Sequence, residues 1–303
     1  IQHGQYEEDI NSPYYQKAGG ISILGASNAT LSDLHITDNT GLNGGGIYCF
    51  EGSSIDLSNS IIDENLGGLG GGIFFSGCTF ILDSVDIVDN NSGLYFYYSQ
   101  GEINNSRISH NDYGMFIVGA NYCHIDDCTN WENVRPGVVF NNVEIADNNN
   151  IPYNEQIAIG SSVAGSSYNY VVFNYVTFGL SNPSELMAAI ETTTAINGGT
   201  NPDVEIILHN CIIGENFGGG AIYNTTPWTD ENCSPDFPND NCYGKLNVTI
   251  DYSDIVGGQS AIIGAHSLIY DNSNIDENPA FTDPASGDYS LMISSPCIDT
   301  GDS

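Results

Sequence analysis

Asp38, Glu64 and Asp89 recur at one phase of this chain, each at the eighth position from a repeated apolar residue (Leu31, Leu57, Leu82). His110, Asp147 and Glu215 continue the series. If the repeats stack like sheet strands, these carboxylates meet about 4.8 Å apart. Like charges at that separation repel by about 1 kcal/mol in water. Ca²⁺, which takes oxygen ligands, would relieve the repulsion. Asp38, Glu64 and Asp89 are therefore the candidate metal ligands, and calcium is the one cofactor these residues suggest. The rival reading lets the side chains splay into solvent under salt screening, since neither an EF-hand loop nor a GGxGxDxUx motif occurs.

Other chemistry is sparse, and no catalytic residue is assigned. A lyase mechanism needs a basic residue to take a proton, and only Lys17, Arg107, Arg135 and Lys245 exist. None sits in a basic cluster, and Arg107 would stack beside Asp86 as a surface ion pair worth about 0 to 1 kcal/mol. Asp126-Asp127 is a lone acidic pair inside a Cys-flanked stretch, and GSSVAG (160–165) does not match a nucleophile elbow. The formal net charge of -34 excludes nucleic acid as a partner and disfavours polyanions and anionic membranes. No apolar run approaches the roughly 18 residues of a membrane span. Eight Cys in a Lys-poor, Gly- and Asn-rich chain favour an oxidising, extracellular setting. Cys233 with Cys242 and Cys123 with Cys128 are candidate disulfides within loops, and Cys49 with Cys78 is a candidate across adjacent repeats. Cys211 occupies a core position and reads as a buried thiol.

The element that must position these residues is a hexapeptide. It occurs as LSDLHI, LSNSII, LDSVDI, INNSRI, FNNVEI, FNYVTF, LHNCII and IDYSDI, starting at Leu31, Leu57, Leu82, Ile103, Phe140, Phe173, Leu208 and Ile250. The intervals vary between 21 and 42 residues, as in a solenoid that keeps its unit and varies its loops. Positions four and six are small or apolar and position five is polar, the period of a half-buried strand. Position three holds Asp33, Asn59, Ser84, Asn105, Asn142 or Asn210, residue types that turn a chain. A second strand follows Gly20, Gly46, Gly72, Gly93 and Gly114, in phase with the hexapeptides. Asn39, Asn65, Asn90 and Asn111 close the first strand of each repeat, with Asn148 and Asn216 continuing the pattern. They read either as an asparagine ladder from coil to coil or as plain turn residues. The expected fold is all-β, a single parallel β-helix of about 8–10 coils spanning 1–303. Loop insertions are expected near 119–137, 180–203 and 225–245, with a closing segment at 274–303. Ile1 and Gly4 match Ile36 and Asn39, so the chain is expected to start inside a repeat, as a piece of a longer protein.

The turns GLNGGGIYC (41–49) and GGLGGGIFF (67–75) resemble those of secreted right-handed parallel β-helix proteins of the pectin-lyase-like superfamily. The stretch NIDENPAFTDPASGDYSLMISSPCIDTGD (274–302) is similar to the segment that closes many surface-anchored members. The resemblance implies a right-handed, single-stranded coil. It leaves activity open, because the superfamily mixes lyases, hydrolases, adhesins and stalks. The expected function is a non-enzymatic, extracellular or cell-surface rod: an adhesin, stalk or filament subunit. Its partners would be copies of itself, joined head-to-tail or laterally, or cell-surface glycans and proteins. The alternative is a carbohydrate-active β-helix, a polysaccharide lyase or hydrolase or a glycan-binding module.

Overall fold

A computed structural model describes residues 1–2, 19–119, 137–148, 155–160, 169–181, 188–193, 203–225 and 244–301. The expected insertions at 119–137 and 225–245 lie almost wholly outside the described residues, whereas 180–203 includes Ala188–Thr193, a strand of the stack rather than a loop.

The described chain is nearly all β, and its strands run parallel in long stacked sheets. One sheet has nine strands and the other thirteen. The chain alternates between them: Ile47–Phe50 joins the first, Ser54–Asp63 the second, Ile73–Ser76 the first and Thr79–Val88 the second. Each strand pairs with its counterpart from the next repeat. This topology is compatible with a β-helix or a related solenoid.

The hexapeptides are in register. Leu31, Leu57, Leu82, Ile103, Phe140, Phe173, Leu208 and Ile250 are successive Cα partners across the larger sheet. The sixth positions form a second column, from Ile36 through Ile62, Ile87, Ile108, Ile145, Phe178 and Ile213 to Ile255. Facing them, the smaller sheet aligns Ile47, Ile73, Leu94, Met115, Ile157, Ile190 and Ile222. All of these except partly buried Leu31 belong to one buried apolar cluster. A one-residue slip would turn a whole strand's apolar set outward, so this periodicity specifies the register. At the other end, a parallel bridge joins Gln2 to Thr37, which sets Ile1 opposite Ile36.

Two columns of left-handed backbone turn the chain at each repeat. Position three is left-handed in all eight hexapeptides, from Asp33 (φ 56°) to Tyr252 (φ 48°). Position eight is left-handed at Asp38, Glu64, Asp89, His110 and Asp147, with φ between 50° and 57°. Asn, Asp and His tolerate this conformation better than other L-residues. The glycine column has a different cause, close backbone approach. A Cβ on Gly46 would lie 2.7 Å from the Gly72 carbonyl oxygen, and one on Gly72 would lie 2.7 Å from that of Gly93.

The closing segment adds an antiparallel pair, Phe281–Asp283 with Asp288–Leu291, laid against the larger sheet's later repeats.

Candidate functional site

The structure brings the asparagines together as a continuous buried column. The Oδ1 of Asn65 accepts both the backbone N–H and the Nδ2 of Asn39, each at 3.0 Å. Asn90 does the same for Asn65 at 3.0 and 3.1 Å, and Asn111 for Asn90 at 3.0 Å each. Asn148 receives Asn111 at 3.2 and 2.8 Å. Each Nδ2 also donates back to a strand carbonyl, as from Asn90 to Ile62 at 3.0 Å and from Asn111 to Ile87 at 3.0 Å. The column then changes residue type: Gln156 Oε1 accepts the N–H and Nδ2 of Asn148, both at 2.9 Å. Gln156 comes from the smaller sheet, and its extra methylene spans the added reach. Asn216 instead donates to the Leu180 carbonyl.

The position-eight carboxylates do not converge. Among the described residues no group of three or more His, Cys, Asp or Glu side chains could hold a metal ion, Asp38, Glu64 and Asp89 included. All three instead occupy left-handed corners of the backbone. Asp38 spends an oxygen on Gln2 Nε2 at 3.1 Å.

The expected Cys49–Cys78 disulfide is corrected: both are free thiols. A hydrogen bond with Cys78, then burial, pushes the Cys49 thiol far above its ordinary value. That suppresses the thiolate that disulfide exchange requires. Cys211 is a fully buried thiol donating to the Phe173 carbonyl at 3.2 Å, with its pKa pushed up to about 12 by burial. Cys123, Cys128, Cys233 and Cys242 lie outside the described residues, as do Lys17, Arg135 and Asp126-Asp127. Arg107 pairs with Asp86 at 3.2 Å, both side chains well exposed.

A titratable cluster is built around Asp147, where the closing segment docks. Tyr289, nearly fully buried, donates from its hydroxyl to Asp147 Oδ2 at 2.7 Å, across a separation of 142 residues. Asp147 Oδ1 accepts the Ser181 N–H at 2.6 Å, and His110 Nε2 lies 3.9 Å from Oδ2. Burial, then the bond to Asp147, holds the Tyr289 phenol far above its ordinary value. Nearby Glu144 is also raised, by burial first, with Arg107 opposing and Asp147, Asp288 and Asp86 adding to the rise. Gly179 makes the seat: a Cβ there would lie 2.5 Å from Tyr289 Cζ. Phe281 packs edge-on to Tyr289 at 5.3 Å, and Asn278 Nδ2 donates to Glu215 Oε2 at 3.0 Å. A cleft of about 250 Å³ remains beside this contact, lined by Leu180, Glu215, Asn216, Phe281 and Met292. With both Asp147 oxygens engaged, the arrangement works as a latch. Sequence reasoning missed Tyr289, although its GDYSL context was the signal that the segment closes on something.

The aromatic run Tyr95 to Tyr98 divides as a strand should. Phe96 is in the core, whereas Tyr95 belongs to an outer column of stacked rings. Tyr48–Phe74, Phe74–Tyr95 and Tyr95–Phe116 stack at 5.4, 5.3 and 5.7 Å. These rings spend their faces on one another.

Comparison with protein-family models, with curated proteins and with solved structures found no match.

Proposed function

We propose that this chain is the rod of an extracellular structural or adhesive protein, built as a right-handed, single-stranded parallel β-helix of the pectin-lyase-like kind and performing no chemistry of its own. The observation that carries the reading is the buried polar column running from Asn39 to Gln156. From Asn65 to Asn148 each amide both donates and accepts, and buried polar networks bonded in this way fix register and stiffness, which a spacer needs. Asp147 and Tyr289 are spent on fastening the closing segment. The extracellular setting rests on composition and on the resemblance of the Gly-rich turns and closing segment. A parallel stack offers strand edges at its ends, so the partners that fit are further copies of the chain, or surface glycans and proteins. Electron microscopy of concentrated protein tests the assembly: rods joining end to end or side by side support it, and dispersed single rods at high concentration would overturn it.

One observation favours a carbohydrate-active second reading. Glu144, raised by burial, shares a face with Asp147, Asp86 and Arg107, and a raised acid beside an ionised partner is what glycoside cleavage uses. Reducing-sugar release from neutral and acidic polysaccharides, abolished in Glu144→Gln, would establish it; no release leaves the rod reading.

A further inference from the structure

Six of the eight hexapeptides place Asp, Asn or Ser at the left-handed third position, and two do not. Tyr175 and Tyr252 stand there with φ of 56° and 48°. A bulky side chain without a short polar group gains nothing from that conformation and is strained in it. Strain kept where a cheaper residue serves six sister repeats points to a use beyond folding. Register places Tyr175, Asn210 and Tyr252 on successive rungs, so the two phenols flank Asn210 about 10 Å apart, two strand spacings.

The pair is exposed and held. Tyr175 is 53% exposed and Tyr252 38%, unlike the mutually stacked Tyr48 and Phe74, which are buried. The His209 ring meets both edge-on, at 6.3 Å and 5.7 Å, and its Nδ1 is fixed to Asp251 Oδ1 at 2.6 Å. Both tyrosines line a cleft of about 270 Å³, with Thr177, Asn210 and Thr300 among its polar lining. Asp254, nearly buried at its back, is occupied by the Cys297 thiol at 2.9 Å and the Glu277 N–H at 3.1 Å. Small size, aromatic flanks and a few converging polar groups are the marks of a small-ligand site.

We infer that this notch binds one neutral sugar ring of a glycan, its C–H face against a phenol and its hydroxyls toward Thr177, Asn210 and Thr300. Tyrosine suits such a ligand because it offers an apolar face and a polar tip. Acidic sugars are excluded by the field of a chain of net charge -34, reinforced locally by Asp251 and Asp254. The inference goes beyond the rod reading and would hold equally if the chain never assembled.

The test is saturation-transfer NMR on the whole chain with methyl glycosides of glucose, galactose, mannose and xylose, their neutral tetrasaccharides, and trigalacturonate as the charged probe. Tyr175→Asn and Tyr252→Asn restore the residue type that the sister repeats carry. The expected result is transfer to at least one neutral probe and none to trigalacturonate. Each variant should bind roughly tenfold more weakly, with an unchanged or higher Tm. The inference is overturned if no neutral probe binds at millimolar concentration or if trigalacturonate binds best. It is equally overturned if both variants keep full binding, or if both lose Tm, which would make the rings packing elements.

Discussion

At the residue scale, the asparagine column and the acidic column look alike in the sequence and do different work. Asn90 makes five side-chain hydrogen bonds: its Oδ1 takes two from Asn65, and its Nδ2 reaches Ile62, Val88 and Asn111. Asn90→Ala would orphan several buried polar atoms at once, at about 1 to 3 kcal/mol each before relaxation. The expected loss is about 3 kcal/mol or more, read as a lowered midpoint in urea unfolding. Asp38, Glu64 and Asp89 make no comparable network and serve as left-handed corners. Calcium addition or chelation should therefore leave Tm unchanged, and a calcium-dependent rise by calorimetry would restore the metal reading. Spacing could find both columns, but it could not separate them. What separates them is which way the side chain points once the backbone turns.

At the element scale, the closing segment bonds to the stack at several points, and Tyr289 fastens its antiparallel pair. Tyr289→Phe keeps the ring on Gly179 and deletes only the bond to the Asp147 carboxyl. A charge-assisted bond of this kind is worth about 1.5 to 3 kcal/mol. Local opening should follow, seen as faster amide exchange over 281–291 while the Leu57 and Leu82 strands stay protected. Gly179→Val should do more, because it displaces the ring itself. The strands were legible because their pattern is local: the buried positions of Thr79–Val88 alternate along the sequence itself. The latch was not legible, because Asp147 and Tyr289 meet only once several repeats have stacked between them. The Cys49–Cys78 contact was readable from repeat phase, but not that both would stand there as free thiols. Tyr175 and Tyr252 were overlooked because the consensus at their position was read as a turn and the exceptions were not weighed.

At the scale of the whole molecule, charge is the dominant feature. Burial raises the carboxyls of Glu144, Glu191 and Asp254 above their ordinary values. A carboxyl raised on folding binds its proton more tightly in the folded state, so it penalises folding above its folded pKa and stops doing so as pH falls below the ordinary carboxylate range, about 4. Falling pH also removes part of the repulsion behind the net charge of -34. Against this, Asp271 and Asp288 are lowered by bonds from Ser273 and Ser290, and their contribution is lost in acid. Tm should thus rise from pH 8 toward pH 5 and fall again only below the ordinary carboxylate range. A Tm that decreased steadily on acidification from neutrality would contradict this balance. Added salt should raise Tm at pH 8 more than at pH 5, since it screens the same repulsion.

The central claim is that each repeat contributes one rung to a single parallel stack, whatever the length of its loops. Thr30, Asp56, Ile81, Glu102, Val139, Val172, Ile207, Thr249 and Ile269 are successive Cα partners along one column of the larger sheet. Double electron–electron resonance between spin labels on Asp56 and Ile207, Glu102 and Ile269, and Asp56 and Ile269 tests it most directly. Strand spacing predicts about 24 Å for each of the first two pairs and about 34 Å for the third. The first two should agree although their loops differ. Unequal distances for the first two pairs, or a third that does not exceed them by two strand spacings, would contradict the stack.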